Sequence, residues 1–232
     1  NWRARCGPAW IWMLFTVFWS RAFNRRKGKT MKIQLQKVLP KEIEQRSFEI
    51  ITRELGDISL DPANEAVIKR VIHTTADFDY VNTLCFSPNA VAKGIEALKQ
   101  GACIVTDTQM ARAGVNKATL SALGGEAFCF MSDPDVAAAA KEQGTTRATA
   151  SMDKAAAISR PLIFAIGNAP TALVRLYELI KEGKLKPLLV IGVPVGFVNV
   201  VEAKELLMEL DVPYIVARGR KGGSNVAAAI CN

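Results

Sequence analysis

Val71–Tyr80, which reads Val-Ile-His-Thr-Thr-Ala-Asp-Phe-Asp-Tyr, holds the one histidine among 232 residues. Histidine titrates near neutral pH without help from its surroundings, so proton transfer by an unaided side chain would fall to His73 alone. A solitary histidine at a helix end more often packs or caps than reacts. Here two hydroxyls, two carboxylates and a phenol follow it within seven residues, a polar density unusual where a helix meets a core, and this favours a site.

A second stretch with chemical character is Arg218–Asn225, where two arginines, a lysine and three glycines lead into a helix. Such a loop suits an anion. It is not a Walker A loop, because the GxxxxGK[ST] order is missing, and no strand carries GxGxxG with an acidic residue about 20 positions later. Neither a GxSxG elbow nor HExxH occurs, and a Ser-His-Asp hydrolase would have a histidine but no nucleophile to point at. Gln143–Arg147 adds one arginine and two hydroxyls, a pattern that alone would pass for a solvated turn.

The elements that must position these residues can be read from apolar spacing. A helix over 40–55 carries Ser47 and stops at Gly56; a second opens at Asp61-Pro62 and runs through Val67, Ile68, Val71 and Ile72 to His73, with Arg70 three residues earlier on the same face. A third opens at Ser87-Pro88 and stops at Gly101. Beyond it, short apolar runs at 102–105, 127–131, 162–166, 188–191 and 214–217 alternate with helices marked by Asp133-Pro134, Pro170 and Asn199. Runs of this kind are strands buried on both faces. The expected fold is α/β: a single doubly wound, mostly parallel sheet with helices on both faces, preceded by N-terminal helices.

Ligands of such sheets bind at the carboxyl ends of the strands. Small and polar residues follow four of the five runs: Thr106–Gln109 and then Arg112, Gly167–Thr171, Gly192–Phe197, and Arg218–Asn225. The expectation is that their backbone amides aim at an anionic or polar ligand.

Composition narrows the class. Fifty per cent hydrophobic and 22% charged residues suit one sizeable globular domain. The net charge of +8 is local: residues 1–30 hold seven basic and no acidic side chains, leaving 23 basic against 22 acidic, or +1, in the rest. That head also holds all four tryptophans, and its apolar run, Ala9–Trp19, is too short to span a bilayer, which takes about 20 residues. Residues 1–30 are therefore expected to be a leader-like or non-native head before a start at Met31, with the α/β domain at 31–232, and neither nucleic acid nor membrane is expected as a partner. Cys85, Cys103, Cys129 and Cys231 show no CxxC spacing, so neither disulfide nor zinc is expected, in keeping with a reducing, cytoplasmic location.

Four motifs in order, Ile72–Tyr80, Gly167–Leu173, Gly192–Lys204 and Gly219–Ser224, resemble the precorrin-8X methylmutase (precorrin isomerase) family, and together they extend over nearly all of residues 31–232. The resemblance implies an isomerase of cobalamin biosynthesis that moves a methyl group from C-11 to C-12 of a precorrin-8, giving hydrogenobyrinate or its cobalt-containing equivalent. It further implies a precorrin or corrinoid substrate, a homodimer with the site near its interface, and no separate cofactor, any cobalt being part of the substrate. Carried over by motif, His73 is the acid/base group, and Ser47 and Arg70 are substrate contacts. Thr106, Arg112, Arg147, Asn168, Arg220 and Lys221 are added by position, with Phe197 and Val195 facing the flat macrocycle. A carrier that binds a tetrapyrrole without converting it would keep the same loops and have no need of His73; a phosphate- or nucleotide-sugar-binding enzyme built on Arg218–Asn225 ranks below both.

Overall fold

Phe164 lies at the middle of a five-residue strand, Leu-Ile-Phe-Ala-Ile, in which every side chain is buried. A strand can be apolar on both faces only if both are covered, and its neighbours show how. The protein is described here by a computed structural model covering residues 39–232. The expected head at 1–30 lies outside the described residues. Glu44–Asn232 forms one compact unit, and the fold described is that of this unit.

In chain order the elements are α1 (Ile43–Leu55), α2 (Glu65–Thr75), α3 (Tyr80–Thr83), β1 (Leu84–Phe86), α4 (Ala90–Lys99), β2 (Cys103–Thr106), α5 (Gln109–Gly114), α6 (Lys117–Ala122) and β3 (Ala127–Phe128). They continue as α7 (Pro134–Glu142), α8 (Arg147–Ala156), β4 (Leu162–Ile166), α9 (Pro170–Lys181), β5 (Leu189–Gly192), α10 (Val200–Met208), β6 (Tyr214–Ala217) and α11 (Ser224–Cys231). The strand order is β1-β6-β5-β4-β2-β3, with every pair parallel except β1 against β6. Setting β1 aside, the first two parallel strands of the chain, β2 and β3, occupy one edge and the rest extend the other way from β2. The direction in which strands are added therefore reverses between β2 and β4, the switch point of a doubly wound sheet.

Alternation along the strands divides the core in two. Ile104, Ile163, Ala165, Leu189, Ile191 and Ile215 face one side, where they meet Ile51 and Leu55 of α1, Ile68, Val71 and Ile72 of α2, and Val226 and Ala227 of α11. Cys103, Val105, Leu162, Phe164, Ile166, Val190 and Val216 face the other, against Met152 of α8, Leu173 and Leu176 of α9, and Leu207 of α10. The period-2 alternation of Cβ directions explains this partition without further assumption.

Two departures from the expected elements share a cause. The edge strand Leu84–Phe86 is three residues long, too short to show a period, and it exists because it pairs antiparallel with Ile215–Ala217. Ser87, expected to open a helix, extends that pairing instead. Its Oγ accepts the Tyr214 N–H at 2.9 Å and its own N–H donates to the Tyr214 carbonyl at 3.0 Å, so the helix begins only at Ala90. Similarly, Asp61 organises a turn by accepting from Ala63 N–H and Asn64, and α2 begins four residues later at Glu65.

Removing the ring at the middle of β4 tests the account of the core. Phe164→Ala should lower unfolding free energy by about 3–5 kcal/mol, measured as a drop in the urea midpoint at unchanged slope.

Candidate active site

His73 sits in the last turn of α2 with its side chain exposed. Its ring packs on Phe48 of α1 at 5.4 Å between centroids and a 34° tilt. Arg70, one turn earlier, places its guanidinium 5.1 Å over the same Phe48 ring and pairs with Glu44. One aromatic side chain thus orients both an imidazole and a guanidinium, which follows from their i, i+3 spacing on α2. Ser47 precedes Phe48 and, with Ile50, Glu54, Ala76, Phe78 and His73, lines a cleft of about 240 Å³. Ser47, Arg70 and His73 are therefore brought together, as the sequence implies.

The polar residues after His73 are not a second reactive group. Thr74 and Thr75 donate their hydroxyls back to the Arg70 and Val71 carbonyls, and Ala76 ends the helix in the left-handed region at φ 53°, its N–H on the Ile72 carbonyl. Tyr80 is buried, and that burial raises its phenol from the ordinary value. Asp77 and Asp79 both turn to Lys221, whose Nζ lies 2.7 and 3.0 Å from their carboxylates. Hydrogen bonding from Lys221 lowers the Asp77 carboxyl from its ordinary range, and the same bonds raise Lys221. These ion pairs add little stability, but they tie Asp77, four residues after the histidine, to the Arg218–Asn225 loop.

Within that loop the cations have different duties. Arg218 forms a two-point pair with Glu205 at 2.8 and 2.9 Å. Arg220 is exposed and lies 5.4 Å over Phe197, itself 81% exposed at the end of β5. Lys204 of α10 comes from beneath. It has no exposed surface, and its Nζ donates to the Gly219 carbonyl at 2.7 Å and the Lys221 carbonyl at 2.9 Å. Burial pushes this ammonium down to about 8.

Several of the loop amides expected to aim at a ligand bond within the protein. At the switch point Asp107, which follows β2 and is fully buried, accepts the N–H groups of Gly167, Asn168 and Ala169 at 2.8, 2.8 and 2.6 Å. Burial raises the Asp107 carboxyl while these three donors pull it back. The Gly196 N–H goes to the Arg220 carbonyl and the Gly223 N–H to the Val193 carbonyl. Loop packing is equally tight: a Cβ on Gly222 would lie 2.1 Å from the Val193 carbonyl oxygen, and one on Gly167 2.7 Å from the Ser224 Cα. Five loop amides thus hold the loops to one another.

The remaining expected contacts divide accordingly. Asn168 is exposed beside the start of α11, and Arg147 is exposed in the first turn of α8, whose Thr146 hydroxyl meets that of Thr171 at 3.0 Å. Thr106 is fully buried and donates its hydroxyl to the Thr108 and Phe128 carbonyls, which makes it part of the framework. Arg112 is half-buried and donates Nε to the Ala127 carbonyl. Asp107 and Lys204 were not singled out from the sequence; their signal was a charged residue directly after an apolar strand and another inside an apolar helix face. Among the described residues no cluster of three His, Cys, Asp or Glu side chains could hold a metal ion, and no helix is long and apolar enough to cross a membrane.

A flavodoxin-like strand order with a cation-rich rim and an exposed histidine defines an open α/β protein. A family model described as "Precorrin-8X methylmutase" matches residues 42–232. The chain is 49% identical over 195 residues to a cobalt-precorrin-8 methylmutase of Priestia megaterium, covering 84% of this chain and 87% of that one. Against a protein of the same description from Salmonella typhimurium it is 48% identical, covering 83% and 93%. The crystal structure of a precorrin-8X methyl mutase from Thermus thermophilus superposes with a TM-score of 0.75 at 41% identity, covering 82% of this chain and 93% of that one. The chain belongs to the precorrin-8X methylmutase family.

Two measurements follow from the buried groups. Gly222→Ala has no room beside the Val193 carbonyl, so it should displace the loop and weaken binding of a carboxylate-rimmed ligand at least 10-fold in a spectroscopic titration, with the far-ultraviolet dichroism of the fold retained. Lys204 predicts a pH effect. The unfolded chain takes up this proton as pH falls through the ordinary 10.5, whereas the folded chain waits until about 8. Protonation therefore favours unfolding across that window, and stability should fall as pH drops from 10.5 to 8, by up to about 3 kcal/mol. In urea denaturation this slope should be present in the wild type and missing in Lys204→Met.

Proposed function

We propose that this chain is an isomerase that moves a methyl group from C-11 to C-12 of a precorrin-8, with His73 as the acid/base group. The observation that carries the reading is the exposed His73 imidazole, held on Phe48 next to Arg70 and sharing a cleft with Ser47. The substrate is a flat, apolar macrocycle fringed with carboxylates. Phe197 offers an exposed ring, and the cations Arg220, Arg70 and Arg147 suit the carboxylate rim.

Substrate and product are isomers, so one carbon–carbon bond breaks as another forms and no nucleophile is required. Donation from His73 to the ring C nitrogen draws electron density from the framework through which the methyl group migrates, and the proton returns when the shift is complete. This reading needs no separate cofactor and includes a homodimer with the site near its interface. Cobalt-precorrin-8 is the first substrate to offer, because that is the name carried by the relatives compared above at 48 and 49% identity, whereas relatives described as precorrin-8X methylmutase match at 40%.

The test is an absorption spectrum of the protein mixed with cobalt-precorrin-8 and, separately, with the metal-free form. Conversion to the product spectrum is expected with the cobalt form. A bound but unchanged spectrum with both would instead identify a carrier. His73→Ala should still bind product and should lose about 10²–10⁴-fold in kcat; turnover at the parental rate would remove His73 from the chemistry.

A further inference from the structure

We infer that Lys204 is a positioning residue: by donating to the carbonyls on either side of Arg220, its buried ammonium holds Arg220 outward on Phe197, where it can engage the substrate's carboxylates. The substrate part of this inference rests on the reading under Proposed function. The geometry is independent of it.

Lys204 lies on α10 between Ala203 and Leu207, residues of the core, and has no exposed surface. Hydrocarbon would fit that face at no electrostatic cost, whereas an ammonium gives up its hydration and finds no carboxylate in exchange. Its two acceptors are the carbonyls of Gly219 and Lys221, at 2.7 and 2.9 Å. They belong to residues i−1 and i+1 about Arg220, so the peptide plane that precedes Arg220 and the plane that follows Lys221 are both held from below. The Arg220 carbonyl is fixed separately by the Gly196 N–H. The ends of the stretch are tied by Lys221 to Asp77 and Asp79 and by the Gly223 N–H to the Val193 carbonyl, while Gly219, Gly222 and Gly223 stand at φ 81, 157 and 139°, conformations open to glycine and costly to order. A compact point charge with several donors can satisfy two diverging carbonyls at once. A buried charge that disfavours folding and orders a glycine-rich loop beneath an exposed arginine is explained by what the loop presents.

The experiment compares wild type, Lys204→Met, Arg220→Ala and the double variant in steady-state turnover, with amide hydrogen exchange read at Gly196 and Gly223. Rim contacts bind substrate and transition state alike, so Lys204→Met should raise KM at least 10-fold with kcat within about 3-fold. It should also speed exchange at both amides, and in the Arg220→Ala background it should add less than 2-fold to KM, because its effect runs through Arg220. Unchanged KM, or a KM effect fully additive with Arg220→Ala, would overturn the proposal. Lys204→Gln keeps two N–H donors without the charge and should give an intermediate KM. If Lys204→Met fails to fold and folded Lys204→Gln has the parental KM, Lys204 serves stability and the proposal falls. Wild type inactive on both precorrin forms would reject the reading of the reaction instead, and the exchange rates would still decide whether Lys204 clamps the loop.

Discussion

A carboxylate with no exposed surface accepts three amide N–H groups across the gap between two strands, and the shape of the sheet's functional edge depends on it. Asp107 follows β2, its donors Gly167, Asn168 and Ala169 follow β4, and between these parallel strands the winding order of the sheet reverses. Many doubly wound folds leave a crevice there for a ligand's phosphate. In this protein the anion is part of the chain. Three donors satisfy it well enough to remain buried, and the closed crevice gives α11 a surface on which Gly167 and Ser224 pack without an intervening side chain.

Lys204 does the converse at the next gap. Asp107 gathers amides and Lys204 gathers carbonyls, each without an opposite charge as partner. Both are expensive to bury, and both act on backbone that glycine leaves free. The result is a rim in which loops are tied to each other. Exposed side chains carried by those loops then have fixed origins, which a ligand with several carboxylates requires if binding is not to be spent on ordering the protein.

His73 stands apart from this rim. It is carried by α2 and steadied by Phe48 of α1, and the turn that follows it is tied to the sheet edge by the ion pairs of Lys221 with Asp77 and Asp79. Those pairs are exposed and weak singly, yet they join the turn that ends α2 to the loop that bears Arg220. Rigid scaffold, anchored loops and a solvent-facing imidazole are thus provided by different parts of the chain, each with its own source of stability.

Five strands, the helices between them, the sheet's burial on both faces and the placing of Arg70 and His73 on one helix face were legible in the sequence, because period-2 and 3.6-residue spacing and an i, i+3 pair are local properties. The three-residue strand at Leu84 and the role of Ser87 were not, since they exist only through pairing with Tyr214–Ala217. Nor could spacing tell that Thr106 is sealed inside while Arg220 is presented outside. The loop amides were read as a ligand site from composition alone, and tertiary structure assigned them to Asp107, Val193 and Arg220. The physical reason is the same throughout: residue type and spacing determine what a group can bond to, but which partner arrives is decided by elements distant in the chain, 60 residues apart for Asp107 and Gly167 and 116 for Thr108 and Ser224.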